Sequence, residues 1–179
     1  MAVDYFTKWT KAEPVASITA KKSLDFGIKN IVCRYGIPRK IVSDNGTQFE
    51  SDEFTGFREK NIIIKSFSSV ARTQGNRQVD AVNKTLKFSM KKRLEEAKGR
   101  WPEELPNVLW SYRTTARTST GHTPFALAYG CEAMLPVEVE VPTRTRESYN
   151  QEENHELLEE SLDLIEETRR NSQMINAAY

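Results

Sequence analysis

Two strand-like segments flank a helical one in the first half of the chain. Residues 39–44, RKIVSD, carry adjacent apolar side chains before an Asn-Gly turn pair, and residues 62–69, IIIKSFSS, are rich in β-prone side chains. Between them, Ser51 is placed to cap the helix that begins at SDEF. This alternation of strand and helix predicts a mixed α/β fold over residues 1–130.

The other segments extend the mixed pattern. A helical pattern begins at Thr19 and is closed by Gly36 and Pro38. We also expect short strands around residues 2–6 and 13–17, a long helix from about Arg77 to Ala97, a helix from about Trp101, a helix and turn over 122–130, a strand over 136–142 and a helix from Asn154 to Ala178. The three tryptophans are expected to pack in the core: Trp9, Trp101 and Trp110.

Composition narrows the class of protein. The chain has 179 residues, of which 38% are hydrophobic and 28% charged, as in soluble globular domains. No apolar run approaches the roughly 18 residues that span a membrane, so no membrane partner is expected. Cys33 and Cys131 have no zinc-binding spacing and predict reduced thiols of an intracellular protein. With only two histidines, a His/Cys zinc module is excluded.

Charge is distributed unevenly although the net charge is only +1. Residues 77–100 carry eight basic and three acidic side chains, whereas residues 138–167 carry eleven acidic and two basic ones. This asymmetry suggests a middle segment that faces a polyanion and an acidic, solvated C-terminal part. Two ordinary charged helices would explain the same counts.

Two aspartates are candidate metal ligands. Asp44 is at the C-terminal end of the predicted strand at residues 39–44, at the sheet edge where α/β proteins bind ligands, although a turn aspartate often only accepts backbone hydrogen bonds. Asp80 follows after 35 intervening residues and shares a helix face with Lys84 and Lys87. A surface ion pair with Lys84 is one explanation of Asp80. A metal-dependent phosphoryl-transfer site is the other, with carboxylates holding divalent ions and lysines gripping a phosphate backbone.

Several ordered motifs together resemble the integrase of Ty3/gypsy-type LTR retrotransposons, most like those of plants. The motifs are VDYFTKW, VSDNGTQF, the 35-residue gap, QVDAVNKTLK and PFALAYGCEAMLPVEVEVP. The resemblance implies an RNase H-like core whose two aspartates and one glutamate bind Mg²⁺ or Mn²⁺. It also implies 3′-end processing and strand transfer of element DNA into host DNA, in the nucleus, by an oligomer, with no small-molecule substrate.

The family's functional residues map onto matching positions of this chain. By this resemblance, Asp44 corresponds to the second catalytic aspartate, and Asp80 occupies the position of the catalytic glutamate; both would bind the metal. Asn76 falls in the loop before that acid. The helix positions that contact DNA correspond to Asn83, Lys84, Lys87 and Lys91.

Departures from the family pattern predict impaired catalysis. Asp80 is one methylene shorter than glutamate, which retracts the carboxylate by roughly 1 Å, whereas catalytic constellations tolerate about 0.5 Å. Thr73 and Arg77 stand where the family usually has proline and glycine. Asp4 lies in the segment that resembles the second strand of the core, so the first catalytic aspartate and its strand are expected to be absent from this chain.

The expected organisation is a partial catalytic core over residues 1–135, followed by a strand and a linker helix over residues 136–179. Three hypotheses follow. The chain is an integrase core with the right fold and little or no catalysis, or a non-catalytic nucleic-acid-binding remnant retained by a host, or a piece of a decayed element that does not accumulate as protein.

Overall fold

A computed structural model describes residues 1–44, 46–67, 81–88, 91, 101–134 and 150–178. The chain forms two compact units. The first comprises Met1–Tyr5 and Thr10–Leu109, and the second comprises Phe6–Trp9 and Trp110–Tyr179. Among the described residues, none of the helices is long and apolar enough to cross a membrane.

The first unit alternates strands and helices. β1 (Ala2–Val3) pairs antiparallel with β2 (Thr10–Lys11). α1 (Ala20–Gly27) continues through a π-helical turn (Ile28–Val32) into α2 (Cys33–Tyr35). β3 (Lys40–Ser43), a 3₁₀ turn (Thr47–Phe49), α3 (Asp52–Lys60) and β4 (Ile64–Phe67) follow, and residues 81–88 form α4.

The predicted helix starts in this unit are confirmed by their caps. Thr19 has extended backbone angles, and its hydroxyl accepts a hydrogen bond from the amide of Lys22. Ser51 caps α3 in the same way through the amide of Phe54. Gly36, at φ +85°, ends the helical run that Thr19 begins, because this backbone region favours glycine.

One strand prediction is wrong. Residues 13–17 are not a strand; the second short strand is Thr10–Lys11, three residues earlier in the chain. Pro14 has no backbone N–H to donate to a ladder, and Val15 is exposed, so neither hydrogen bonding nor burial favours a strand there. The strand expected within residues 2–6 is confirmed, although it is limited to Ala2–Val3.

A left-handed isoleucine closes α3. Ile62 has φ +57° and is 88% exposed. The amide of Ile63 donates to the carbonyl of Arg58, and the amide of Ile62 donates to that of Glu59, the two bonds of a Schellman cap. A β-branched residue is strained in this conformation. The cap bonds offset that strain and turn the chain directly into β4.

Asn30, in the π-helical turn, forms a hydrogen bond with the carboxylate of Glu13. Asn30 is buried, and its side-chain amide donates to the carboxylate of Glu13 over 3.0 Å. Lys29 also pairs with Glu13 at 3.4 Å. The hydrogen bond from Asn30 is the main reason that the pKa of Glu13 lies below its ordinary value; burial acts in the opposite direction, and the charge of Lys29 adds to the lowering.

This contact predicts a pH dependence. Because the pKa of Glu13 is lower in the folded state, its contribution to stability is complete above the unfolded pKa of about 4.3 and is lost as the pH falls through the folded value. Glu13→Gln keeps an acceptor for Asn30 but cannot titrate. In urea unfolding from about pH 6 to about pH 3, the stability advantage of wild type over Glu13→Gln should shrink.

The control for that series is Glu156→Gln, a substitution of an exposed glutamate in the C-terminal helix. Its difference from wild type should change less over the same range. An advantage over Glu13→Gln that stays constant with pH would contradict the assignment of the acid-sensitive contact to Glu13.

The second unit is built from helices around an aromatic cluster. α5 (Trp101–Arg113) starts in the first unit and ends in the second; α6 (Pro124–Tyr129) and α7 (Gln151–Ala178) follow. The rings of Trp9, Trp110 and Tyr129 each lie 4.8–6.1 Å from Phe125. The core placement predicted for Trp9 is confirmed, since it is 8% exposed, and Trp110 is half-buried. The side chain of Trp101 lies outside the described residues.

α6 anchors α7 in this unit. Thr123 caps α6, Pro124 occupies its first turn, and Gly130 ends it at φ +83°. The guanidinium of Arg169 donates to the carbonyls of Leu127 and Ala128, which lie at the end of α6. The contact satisfies carbonyls that the short helix leaves without intrahelical partners.

The C-terminal helix starts earlier than predicted. It begins at Gln151 rather than Asn154, because the side chain of Asn150 accepts from the amide of Glu152 and so caps the helix. The helix pattern expected from Trp101 and that expected within 122–130 are confirmed. The strand expected over 136–142 and most of the helix expected over 77–97 lie outside the described residues.

Candidate metal and nucleic-acid site

Asp44 lies at the carboxyl end of a parallel strand pair. β3 and β4 are parallel, and Ser43 is paired with Phe67 at the end of the ladder. Asp44 follows immediately and is exposed. A carboxylate in this place is open to solvent and to a ligand that approaches the strand ends.

A tight turn follows Asp44. Its Oδ1 accepts a hydrogen bond from the amide of Gly46 over 3.2 Å, so Asp44 does perform the ordinary role of a turn aspartate. A carboxylate has about four lone-pair sites, and one backbone bond leaves acceptor capacity for a cation. The two roles that the sequence left open for Asp44 are therefore compatible.

α4 presents a basic surface. Val82 and Leu86, one turn apart, are buried, whereas Lys84 and Lys87 are exposed and Asn83 is half-buried. Burial of the apolar side orients the helix, and the lysines face solvent for that reason. Lys91, also helical, is exposed too. We call the three side chains Lys84, Lys87 and Lys91 the lysine row.

Asp80, Asn76 and Asp4 are the remaining acidic or polar residues that the sequence raised as possible parts of the site. Asp80 and Asn76 fall outside the described residues, so the proposed pairing of Asp80 with Asp44 stays a prediction. Asp4 is exposed at the end of β1. Within the part of the chain that the structure describes, no three His, Cys, Asp or Glu side chains are grouped as a metal site, with or without Asp4.

Whether a divalent cation fits can be judged from Asp44. Mg²⁺ and Mn²⁺ prefer oxygen ligands, commonly one or two carboxylates completed by water and substrate phosphates. Asp44 supplies such an oxygen on an exposed strand end, and the position of the turn is held by backbone bonds. The donor chemistry therefore fits a hydrated divalent cation.

One residue near Asp44 was missed by the reasoning from sequence. Lys65, in β4, has a side chain only 7% exposed, and its ammonium donates to the carbonyl of Phe49 and the carboxylate of Glu50. The available signal was a lysine inside the β-prone run IIIKSFSS. A lysine within a strand either points to solvent or has buried acceptors for its ammonium. The residue types around Lys65 are the same in both cases.

Retroviral polyproteins are similar to this chain. It is 32% identical over 128 residues to the Gag-Pol polyprotein of avian reticuloendotheliosis virus and 33% identical over 129 residues to that of feline leukemia virus. Each alignment covers 72% of this chain, which spans 11% and 8% of the two polyproteins. No protein-family profile matches the sequence.

Solved structures identify the fold. The HTLV-2 integrase catalytic core domain, in complex with magnesium, superposes with a TM-score of 0.57 at 22% identity, over 69% of this chain and 78% of that one. The chain has the fold of a retroviral-type integrase catalytic core. An intasome of simian T-cell lymphotropic virus, in complex with the PP2A regulatory subunit B56 gamma, gives 0.62 at 21% identity, covering 75% of this chain and 48% of that one.

The expected RNase H-like fold is thereby confirmed for this integrase-type core. Asp44, at the carboxyl end of β3, supplies the predicted carboxylate, and the lysine row, which begins in α4, supplies the predicted cations.

Proposed function

We propose that this integrase-type core acts on DNA, as the core of a Ty3/gypsy-type retrotransposon integrase, and that its catalysis is impaired. The observation that carries the proposal is the exposed Asp44 at the carboxyl end of parallel β3, in a fold shared with integrase cores. The magnesium complex of the HTLV-2 core supports a divalent cation as cofactor.

In the proposed site, Asp44 and Asp80 would hold Mg²⁺ or Mn²⁺. The bound ion would supply Lewis-acid stabilisation of charge on a phosphoryl oxygen and lower the pKa of an attacking water or hydroxyl. The chain's own residues have two tasks: the Asp44 turn holds a carboxylate at the strand end, and Lys84, Lys87 and Lys91, with Asn83 and Asn76, contact the DNA backbone.

Impaired catalysis follows from the side chain at position 80. An aspartate there reaches about 1 Å less far than a glutamate, which is more than the about 0.5 Å that a catalytic arrangement tolerates. Thr73 and Arg77, in the segment before it, stand where the family usually has proline and glycine. We therefore expect this chain to retain cation binding and to catalyse little or no strand transfer.

The decisive experiment incubates the purified chain with Mn²⁺ and labelled element-end DNA. We expect DNA binding with little or no 3′-end processing or strand transfer. Clear processing or joining would contradict the impairment, and absence of DNA binding at low salt would contradict the proposed function itself. The HTLV-2 integrase core has been solved in a trimeric and a dimeric form, which supports an oligomer as the acting species. Sedimentation of this chain with DNA tests it.

A test of the cation ligand uses Asp44→Asn. The asparagine side chain keeps an oxygen that accepts from the backbone N–H of Gly46, but it has no charge for the cation. Loss of a residue that only supports a metal ligand lowers metal affinity by about 10–100-fold, and loss of a ligand itself should lower the Mn²⁺ affinity by more. The free-Mn²⁺ signal in electron paramagnetic resonance measures it. Asp25→Asn, at an exposed carboxylate of α1, is the matched control and should leave the affinity unchanged.

A second candidate function is favoured by the lysine row. Three exposed cations on a helix whose apolar side is buried suit a nucleic-acid-binding module without catalysis. The two candidates differ in whether the chain binds Mn²⁺. The integrase core binds Mn²⁺ through Asp44, whereas the module has no need of the ion and binds DNA equally with and without it. For either function the nucleus is the proposed site of action.

A further inference from the structure

Lys65 is half-buried as a residue, and its side chain is largely shielded from solvent, where an ammonium is costly. It lies in β4, opposite Ile41 of β3, and its side chain is 7% exposed. Its Nζ lies 2.7 Å from the carbonyl oxygen of Phe49 and 2.5 Å from a carboxylate oxygen of Glu50. A charge shielded from solvent is tolerated only when it is paired and hydrogen-bonded, and these two contacts help to meet that requirement.

The two acceptors end the turn that begins at Asp44. Asp44 accepts from the amide of Gly46, and the carbonyl of Gly46 accepts from the amide of Phe49 over 2.9 Å. A continuous series of hydrogen bonds therefore runs from the Asp44 carboxylate through Gly46 and Phe49 to the ammonium of Lys65. The ring of Phe49 also packs edge-on against Phe54 of α3, at 5.4 Å.

We infer that Lys65 is a positioning residue for Asp44: it ties the far end of the Asp44–Glu50 turn to β4 and so fixes where the candidate metal ligand points. The functional half of this inference rests on the proposed role of Asp44. The anchoring half does not, because it concerns only the turn and the strand. Lys65 does not contact DNA in this scheme, since its ammonium is turned inward onto Phe49 and Glu50.

The experiment measures the turn and the cation separately. Lys65→Met keeps an unbranched side chain as far as the Cε position and removes the ammonium and its donors. Hydrogen exchange of the Phe49 and Glu50 amides should accelerate by at least about tenfold, the ratio expected when a charge-assisted hydrogen bond is lost, while the β3 amides are little changed. Mn²⁺ affinity, from electron paramagnetic resonance, should fall several-fold. Lys65→Arg, which retains donors, should recover part of both effects.

Two further variants complete the design. Lys60→Met removes an exposed lysine of α3 and should change neither readout. Glu50→Gln removes the ion pair but leaves the bond to the Phe49 carbonyl. Amide exchange should therefore accelerate, and Mn²⁺ affinity fall, by less than in Lys65→Met. If Lys65→Met does not fold, Glu50→Gln tests the inference in its place.

Unchanged exchange of the turn amides in Lys65→Met, or in Glu50→Gln where only that variant folds, would overturn the inference. So would faster exchange with an unchanged Mn²⁺ affinity in a chain whose wild type binds Mn²⁺, because the turn would then be anchored without positioning the ligand. A wild type that binds no Mn²⁺ defeats the proposed function and with it the functional half of the inference, and the exchange data still decide the anchoring half.

Discussion

Replacing the lysine row by glutamine is expected to weaken DNA binding by roughly 100-fold at low salt. A lysine at about 4 Å from a phosphate gains about 1 kcal/mol even at the dielectric constant of water, so three contacts contribute about 3 kcal/mol. Lys84 and Lys87 on α4 and the helical Lys91 are exposed, and glutamine has an unbranched side chain with a helix propensity close to that of lysine. Helix stability should therefore be preserved while the charge is removed.

The salt dependence gives a second readout of the same variant. Each phosphate contact contributes about 0.9 to the slope of log affinity against log salt, so removing three contacts should reduce the slope by about 2.7. Fluorescence anisotropy with a labelled duplex, at several salt concentrations, measures both quantities. A general loss of affinity without a change in slope would not fit three lost phosphate contacts.

A matched triple variant separates location from net charge. Lys21, Lys40 and Lys60 are exposed lysines of α1, β3 and α3, and their replacement by glutamine changes the net charge by the same amount. Lys40 begins β3, at the strand end away from Asp44. This control should retain most of the DNA affinity. Equal losses in the two triple variants would show that only overall charge matters, and would contradict a DNA-contacting role for α4.

Leu127→Ala is expected to destabilise the second unit by about 2–5 kcal/mol, the range observed when a buried leucine is truncated. Leu127 is fully buried, at 0% exposure, in the middle of α6. Truncation of Leu127 removes apolar contacts and leaves a cavity at α6. The same helix is hydrogen-bonded to α7 through Arg169. For a chain of this size each kcal/mol lowers Tm by about 2–4 °C.

Leu157→Ala is the matched control, because it makes the same substitution on α7 at a side chain 55% exposed. It should change stability by no more than about 0.5 kcal/mol. Trp9 and Trp110 lie in the aromatic cluster of this unit, so tryptophan fluorescence during urea unfolding reports on it. Equal effects of the two substitutions would contradict the placement of Leu127 in the core.

Local signals in the sequence were the most reliable guides to the elements. Ser51 was recognisable as a cap, because a hydroxyl that accepts from an amide three residues later needs only short-range geometry. The helix that follows Thr19 was recognisable from its apolar spacing, and the structure adds that Thr19 caps it. Residues 13–17 misled, since Val15 is the one strand-favouring residue among them and it is exposed. Asn150 was overlooked as a cap, which placed the start of α7 three residues too late.

The candidate site was predicted in part. The position of Asp44 after a strand could be read from RKIVSD and the Asn-Gly pair that follows, and the exposed lysines from the spacing along α4. The metal pairing of Asp44 with Asp80 stays a prediction. So do the core and linker boundaries at residues 1–135 and 136–179, and the DNA contacts of the lysine row with Asn76 and Asn83.

The sequence by itself determined that helices follow Thr19 and Ser51, that Asp44 lies at the end of a strand, and that the lysines of α4 share a face, because each depends on neighbours within a few residues. Only the tertiary structure decided that β3 and β4 are parallel, that Trp9 packs on Phe125, and that Lys65 points inward to Phe49 and Glu50. These are contacts between residues far apart in the chain. Their free energy depends on burial and pairing that no local pattern specifies.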